Sequence, residues 1–516
     1  MKKLILFPAL FIVSFLTAQT PDDVPRYSFF PQNGTARSLA IGGAMGSLGG
    51  DIAATFVNPA GLGMYRTSDL VFTPGLFFNN NKIDFRGTNT QNNKSSFGLG
   101  TSGVVFGAEN SNDNDPTANG AVSLAFTQMA NYNNTLHYSG LNYYSSFAEQ
   151  WAEQAASSNE SLDGILNDPQ YAFGTAPAVY TYLIDTFRQN DNSIRVKALP
   201  EFVLNNGQAL KQDNLVQTKG GLYEAALGFG IRRTEKFYYG LTLGIPILSY
   251  DNVSTFTESD VSGATNLFGS FKYTDHYHVS GVGFNLKFGL IYKPDDHLRL
   301  GLAFHTPSIF PTLKESRTTN LEVDPEDYAR AASVSSDLFT SNQPGLSKYT
   351  ILTPFKAIIS GSYVLSEVED VTKQKGFITA DIEYVHHHGT SFYSAADAPT
   401  TTETDYYKSL NNVIRDQYKG NLNFRLGGEL KFTTIMTRLG FAYYGNPYKD
   451  PALKANKFLV SGGLGYRNKG YFIDLTYIYA FNKDVNFPYR LGDKSNTFAT
   501  INNQLGNLVA TVGLKF

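Results

Sequence analysis

Three consecutive histidines, His386, His387 and His388, form the densest cluster of metal-ligating side chains in the chain. Imidazole binds zinc, copper and iron. The cluster closes an alternating apolar stretch, where successive side chains point to opposite faces. Two at most, His386 and His388, can then share a metal or haem. Asp381 and Glu383 lie just upstream and could serve a hydrolase together with a nearby His. Gly98-Leu99-Gly100-Thr101-Ser102-Gly103 has the spacing of a dinucleotide loop. That loop needs a strand before it and a helix after it, whereas Val104-Val105-Phe106 continues a strand. Asn110 to Asp115 has acidic and amide residues at calcium-loop spacing but no bidentate Glu downstream, and reads as a turn. No His-x-x-x-His pair, Gly-x-Ser-x-Gly elbow or P-loop occurs elsewhere. The expectation is a protein that is not an enzyme and uses no cofactor.

The elements that would position these residues are strands. About fourteen alternating segments lie near 70–78, 97–106, 121–130, 222–232, 236–250, 271–293, 297–310, 352–366, 375–388, 421–433, 435–444, 457–467, 470–482 and 505–516. In one, Tyr471, Ile473, Leu475, Tyr477, Tyr479 and Phe481 share a face opposite Asp474, Thr476 and Asn482. Period 2 with one apolar face is a half-buried strand, and a soluble sandwich would show it too. The connectors separate the two cases. They are tight after the fourth, sixth, tenth and twelfth segments and long after the odd-numbered ones. Short turns on one rim and long loops on the other mark an outer-membrane barrel. In hydrocarbon every backbone polar group must be paired within the protein, so a spanning sheet has to close. The fold class expected is all-β, a transmembrane antiparallel barrel of about fourteen strands with a small N-terminal hatch.

Composition agrees. Lys2 and Lys3 precede an apolar run from Leu4 to Leu16 and then Ala18, so residues 1–18 read as a signal peptide. No other apolar run is long enough to be a spanning helix. There is no cysteine, and the formal charge of −3 argues against a nucleic-acid partner. Aromatic residues make up 14% of the chain and glycines number 47. Tyr and Phe girdles, and strands that pack closely on a neighbour, would use both. Alternation turns Glu224, Lys287, Arg299, Asp381, Glu383, Arg425, Glu429, Arg438 and Asp474 inward. An Arg or Lys facing lipid at the midplane costs roughly 2–4 kcal/mol, so these charges are expected to pair inside. Within the longest loop, Phe147 to Leu166 reads as helix, and Ala178 to Phe187 as a second one.

The chain is expected to divide into the signal, a hatch over 19–66 and a barrel over 67–516. The hatch segment is small and Gly-rich from Gly34 to Met45, and it ends in Asn58-Pro59-Ala60-Gly61-Leu62, with Asn58 able to cap local donors. Gly42, Gly43 and Gly46 are expected to allow close packing. With the fourteen segments and a last strand closing on Phe516, the sequence resembles the FadL-type family of outer-membrane transporters for long-chain fatty acids and other hydrophobic compounds.

That resemblance implies a barrel plugged by its N-terminus that imports a hydrophobic small molecule by passive diffusion and releases it sideways into lipid. Tyr27, Phe29 and Phe30, at the head of the hatch, are the residues expected near the ligand, and Asn58, Pro59, Ala60 and Gly61 form the hatch motif. A monomer in outer-membrane lipid is expected, handed to the barrel-assembly machinery through Phe516. Two other readings stay open: an interaction subunit of a secretion or surface-protein system, and a surface receptor for haem.

Overall fold

A computed structural model describes residues 23–108, 119–189, 191–365, 375–451 and 453–516. The signal reading and the Asn110–Asp115 turn lie outside the described residues. Fourteen antiparallel strands form one closed barrel. They are β1 (Asp69–Phe72, then Pro74–Phe85), β2 (Thr88–Leu99, then Ser102–Ala108), β3 (Asn119–Asn131, then Asn134–Asn142), β4 (Leu210–Arg232), β5 (Phe237–Asp260), β6 (Ser270–Tyr292) and β7 (Leu298–His305, then Ile309–Asp324). The ring continues through β8 (Gly345–Leu352, then Lys356–Leu365), β9 (Gly376–Val385, then Ser391–Ser394), β10 (Asn421–Phe432), β11 (Ile435–Tyr444), β12 (Lys457–Asn468), β13 (Tyr471–Asn486) and β14 (Ala499–Lys515). β14 closes it, with Leu514 opposite Tyr471 on one side and Leu70 on the other.

The outer face is apolar where the strands are paired low in the barrel. Phe97 is 82% exposed and Leu439 74%, and their outward neighbours on every strand are of the same kind. Water would not tolerate so continuous a belt, whereas hydrocarbon solvates it without cost. On β5 the belt ends at Ile247, and Ser249 and Asp251 carry the same face upward as polar residues. A closed barrel with an apolar belt is an outer-membrane protein, and the chain crosses the bilayer with each of its fourteen strands. Among the described residues no helix is long and apolar enough to cross.

Above the belt the strands run on, further than alternation indicated. The expected segments stop where the outward face turns polar, yet backbone pairing continues: β4 and β5 stay in register from Tyr238 opposite Arg232 to Asp260 opposite Leu210. The first outer connection is therefore not long. β1 and β2 meet in a two-residue turn at Arg86-Gly87, both with positive φ, as a tight hairpin requires. The loop after β3 holds α4 (Glu149–Ser157), α5 (Leu162–Asn167), α6 (Thr175–Tyr180) and α7 (Pro200–Asn205). The expected second helix holds only at Ala178–Tyr180, the end of α6, because Ile184–Arg188 is a strand paired with Ile194–Ala198. α8 (Thr401–Gln417), capped by a Thr400/Glu403 capping box, was not anticipated.

The hatch fills the barrel with α1 (Val24–Ser28), α2 (Ala36–Ala40), α3 (Ala54–Val57) and a 3₁₀ turn, Pro59–Met64. Its backbone lies directly on inward glycines of the wall. A Cβ on Gly240 would come within 2.1 Å of the Pro59 carbonyl carbon, and one on Gly301 within 2.1 Å of the Gly46 oxygen. Gly42 and Gly46 do sit in such contacts, at 2.6 Å from the Phe441 oxygen and 2.7 Å from Ser360 Cβ. Gly43 does not: a Cβ there would meet only ordinary contacts, and its constraint is a φ of +78°.

Candidate functional site

Asn58 ties the hatch to the wall. Its side-chain oxygen accepts from Ala60 N–H at 3.1 Å, capping the turn that Pro59 starts. Its amide nitrogen donates to Gly46 O and to the carbonyls of Leu290 and Leu302 on β6 and β7. The inward charges complete the seam. Arg425 reaches Glu383 at 3.2 Å, and Asp381 accepts from Ser360 Oγ and the Gly46 amide. Arg438 holds Glu429 and Asp474 at 2.6 Å each, and Arg37 of the hatch joins Glu429 at 3.5 Å. Lys287 pairs with Glu224. Pairing runs between neighbouring strands, across one intervening strand for Lys287–Glu224 and Arg438–Asp474, and onto the hatch, which is what buried charge requires. Asp381 is thus engaged with the plug through the Gly46 amide, and Glu383 with Arg425 and Asn423 of β10.

Above this seam the head of the hatch bounds two cavities. One, of about 440 Å³, is lined by Phe29, Phe30, Phe77, Met129, Tyr132 and Tyr250 on its apolar side and by asparagines of β13 and β14. The other, of about 60 Å³, takes Tyr27 and Phe30 together with Lys287, His305, Lys356 and Glu383. The three ligand-proximal candidates are brought together, and each is fixed from the wall. Tyr27 Oη lies 3.2 Å from Tyr349 Oη. Lys457 Nζ donates to Phe29 O at 3.0 Å and stands 4.2 Å above the Phe29 ring. Lys356 Nζ is 5.1 Å from the Phe30 ring. Arg26, paired with Asp23 at 2.8 Å, lies 3.9 Å over Tyr250.

The wall is interrupted beside the large cavity. β2 breaks at Gly100-Thr101, and its upper part pairs with β1 alone. No ladder joins Thr88–Leu99 to β3 among the described residues. The hatch stands in for the missing bonds. Asn33 Nδ2 donates to Leu99 O at 3.1 Å and to Gln128 O at 2.6 Å, and Thr101 N–H donates to Gly34 O. Gln128 Oε1 accepts from Leu99 N–H, and Phe77 lies where a Cβ on Gly98 would fall. Sequence reasoning missed Asn33 and Gln128. The available signal was the triple glycine of Gly98, Gly100 and Gly103, which inside a strand marks a bulge or break.

The histidines do not end a strand as expected. β9 is interrupted after Val385, and His387–Gly389 form a 3₁₀ turn before it resumes at Ser391. That turn brings the His386 and His388 rings to 3.8 Å between centroids, while Tyr384 Oη engages His386 Nδ1 and Phe355 stacks on the ring. His387 is buried and bonds Ser28 of the hatch at 3.0 Å. Among the described residues no group of three or more His, Cys, Asp or Glu converges as a metal would need.

No protein-family model and no curated protein matches the sequence. Solved structures are similar over nearly the whole chain, two among them as follows. A Pseudomonas aeruginosa FadL homologue is 14% identical, with a TM-score of 0.51, covering 94% of this chain and 99% of that one. The P. putida toluene transporter TodX is 13% identical at the same TM-score and coverage. Identities this low speak for architecture, and on that ground the chain has the FadL-type fold: a hatch-plugged, fourteen-stranded barrel of the outer membrane.

Proposed function

We propose that the protein lets hydrophobic small molecules, of the size of a long-chain fatty acid, diffuse passively from the outer loops into the lumen and leave sideways into lipid. One observation carries this reading: the apolar cavity under the hatch head abuts the only stretch of described wall where β2 and β3 are not laddered. Burial supplies the driving force, at about 0.8 kcal/mol per CH₂, and a lateral exit spares an apolar tail the plugged, ion-paired lower lumen. The similar architecture of the toluene transporter supports it.

The seam can be locked at one of its own hydrogen bonds, on the rim of the cavity. Asn131 Nδ2 donates to Ser96 Oγ at 3.1 Å across the unladdered stretch, and the chain has no cysteine of its own. A Ser96→Cys/Asn131→Cys protein joined by a short, reducible bis-thiol reagent is expected to lose cellular uptake of a fluorescent dodecanoic acid and to regain it on reduction. Unchanged uptake with the seam joined would sink the lateral route.

A further inference from the structure

The outer face of β7 and β8 carries a like-charge pair at the upper border of the apolar belt. Lys314 and Lys348 stand directly opposite each other in the ladder, next to Leu313 opposite Tyr349. Leu313 and Tyr349 are buried toward the lumen, so both lysines point away from it, and both are exposed. Residues opposite each other on antiparallel strands have Cβ atoms roughly 5 Å apart, and like charges there are destabilising. Nothing in the wall relieves them: neither lysine has an ion pair among the described residues. The carboxylates nearby are committed elsewhere. Glu315 turns to the lumen and accepts from Tyr277 Oη at 3.0 Å. Asp251 is held by His276 at 3.0 Å and His278 at 3.6 Å, and Glu322 by Lys272 at 3.1 Å.

The position of the pair says what an anion there would belong to. One outward step below the lysines stand Thr312 and Thr350. Val282 of β6, 53% exposed, lies opposite Thr312, and Tyr393 of β9, 49% exposed, lies opposite Thr350. Val282 is the last apolar outward residue of β6, and Ser280 follows it beside Lys314. Aromatic side chains at such a border mark the passage from hydrocarbon to headgroups. A lipid whose chains lie on Val282 and Tyr393 therefore brings its headgroup to the two lysines. A phosphomonoester carries about −1.5 to −2 charges, which two ammonium groups at ladder spacing match. A phosphodiester, with one charge, leaves half of the pair unmet. We infer that Lys314 and Lys348 hold the phosphomonoester of an outer-leaflet lipid against the outside of the barrel, with the Ser280 hydroxyl beside them. The site lies outside the lumen and does not depend on what passes through it.

Three lipids with the same dimyristoyl chains separate the head chemistries: phosphatidic acid, a monoester; phosphatidylglycerol, an anionic diester; and phosphatidylcholine. Binding to the purified full-length barrel in neutral detergent is followed by native mass spectrometry. A lysine at a lipid surface is worth about a factor of five. Phosphatidic acid is thus expected to bind about fivefold more tightly than phosphatidylglycerol, and Lys314→Gln/Lys348→Gln to weaken it about thirtyfold. Lys348→Glu turns the like-charge pair into an opposite-charge one, which favours the fold. That variant should keep the heat-modifiable mobility of a folded barrel and lose the lipid. Lys272→Gln, which removes a cation already paired with Glu322, should retain it. Phosphatidic acid bound equally by the parent and Lys348→Glu would overturn the inference, as would phosphatidylglycerol or phosphatidylcholine binding as tightly. Displacement of phosphatidic acid by excess inorganic phosphate would assign the lysines to a soluble anion and overturn it as well.

Discussion

The hatch and the outer cap both fill the barrel's opening, and opposite means hold them. The hatch is polar and backbone-mediated: Asn58, the Arg438 and Arg425 ion pairs, and glycines that let main chain lie on main chain. The cap over β3 to β5 is an aromatic core. Phe147 packs 4.5 Å from Phe256 and 5.1 Å from Trp151, with Phe271 and Tyr273 around them. Apolar area is forgiving, because shape can be recovered by repacking. A hydrogen bond, or backbone packed where a glycine leaves no room for a Cβ, cannot be recovered in that way. The plug is fixed at named positions, and the cap by the sum of its surface.

The largest expected effect breaks that fit outright. Gly240→Val puts two methyls where Pro59 and Ala60 lie, against backbone that cannot turn aside. The cost should exceed the ~1–3 kcal/mol usual for overpacking, and the protein should lose the heat-modifiable gel mobility of a folded barrel. Gly361→Val is the control, since a Cβ there meets only Leu300 at 3.9 Å. Equal behaviour of the two variants would mean that the hatch does not press on the wall.

Asn58→Ala is smaller. It removes a cap, worth about 0.5–2 kcal/mol, and leaves Gly46 O without that donor, so a loss of about 3 kcal/mol is expected. Urea unfolding followed by proteolysis of the hatch should show the plug released before the barrel. A single unfolding step at the parent's midpoint would argue against the staple.

How much of this was legible follows the same division. The fourteen strands and their inward charges could be read because hydrocarbon outside and pairing inside impose period 2 at every step. Asn58-Pro59 was legible as a cap because that chemistry is local. The wall break was not, since Gly98 to Gly103 continues the alternation and only the approach of Asn33, some 66 residues earlier, shows what the glycines are for. The strand extensions were lost where both faces turn polar above the belt, as in Asn79-Asn80-Asn81, while ladder pairing persists. The His386 turn misled because a strand ending is decided by tertiary packing on Ser28 and Phe355.

Where cap and barrel meet, a polar group is buried inside the apolar core, and it should make the cap sensitive to pH. Glu258, on β5 well above the belt, accepts from Ser146 Oγ, from Phe147 N–H at 3.2 Å and from Gln212 Nε2 at 2.7 Å. Burial nonetheless pushes its carboxyl up to about 7, the hydrogen bonds offsetting only part of the desolvation. A carboxyl raised in the folded state favours the neutral form there. Its contribution to stability is therefore full below the unfolded value near 4.5 and is lost as pH rises through about 7. The span corresponds to about 3 kcal/mol at most. Trp151 is the only tryptophan and lies in this core, so its fluorescence reports the cap alone. Its emission should shift red, or its quenching by iodide rise, between pH 6 and 8, and Glu258→Gln should flatten that transition. A transition that survives Glu258→Gln would assign the sensitivity to another group, and a flat profile in the parent protein would mean that the hydrogen bonds from Ser146, Phe147 and Gln212 outweigh burial.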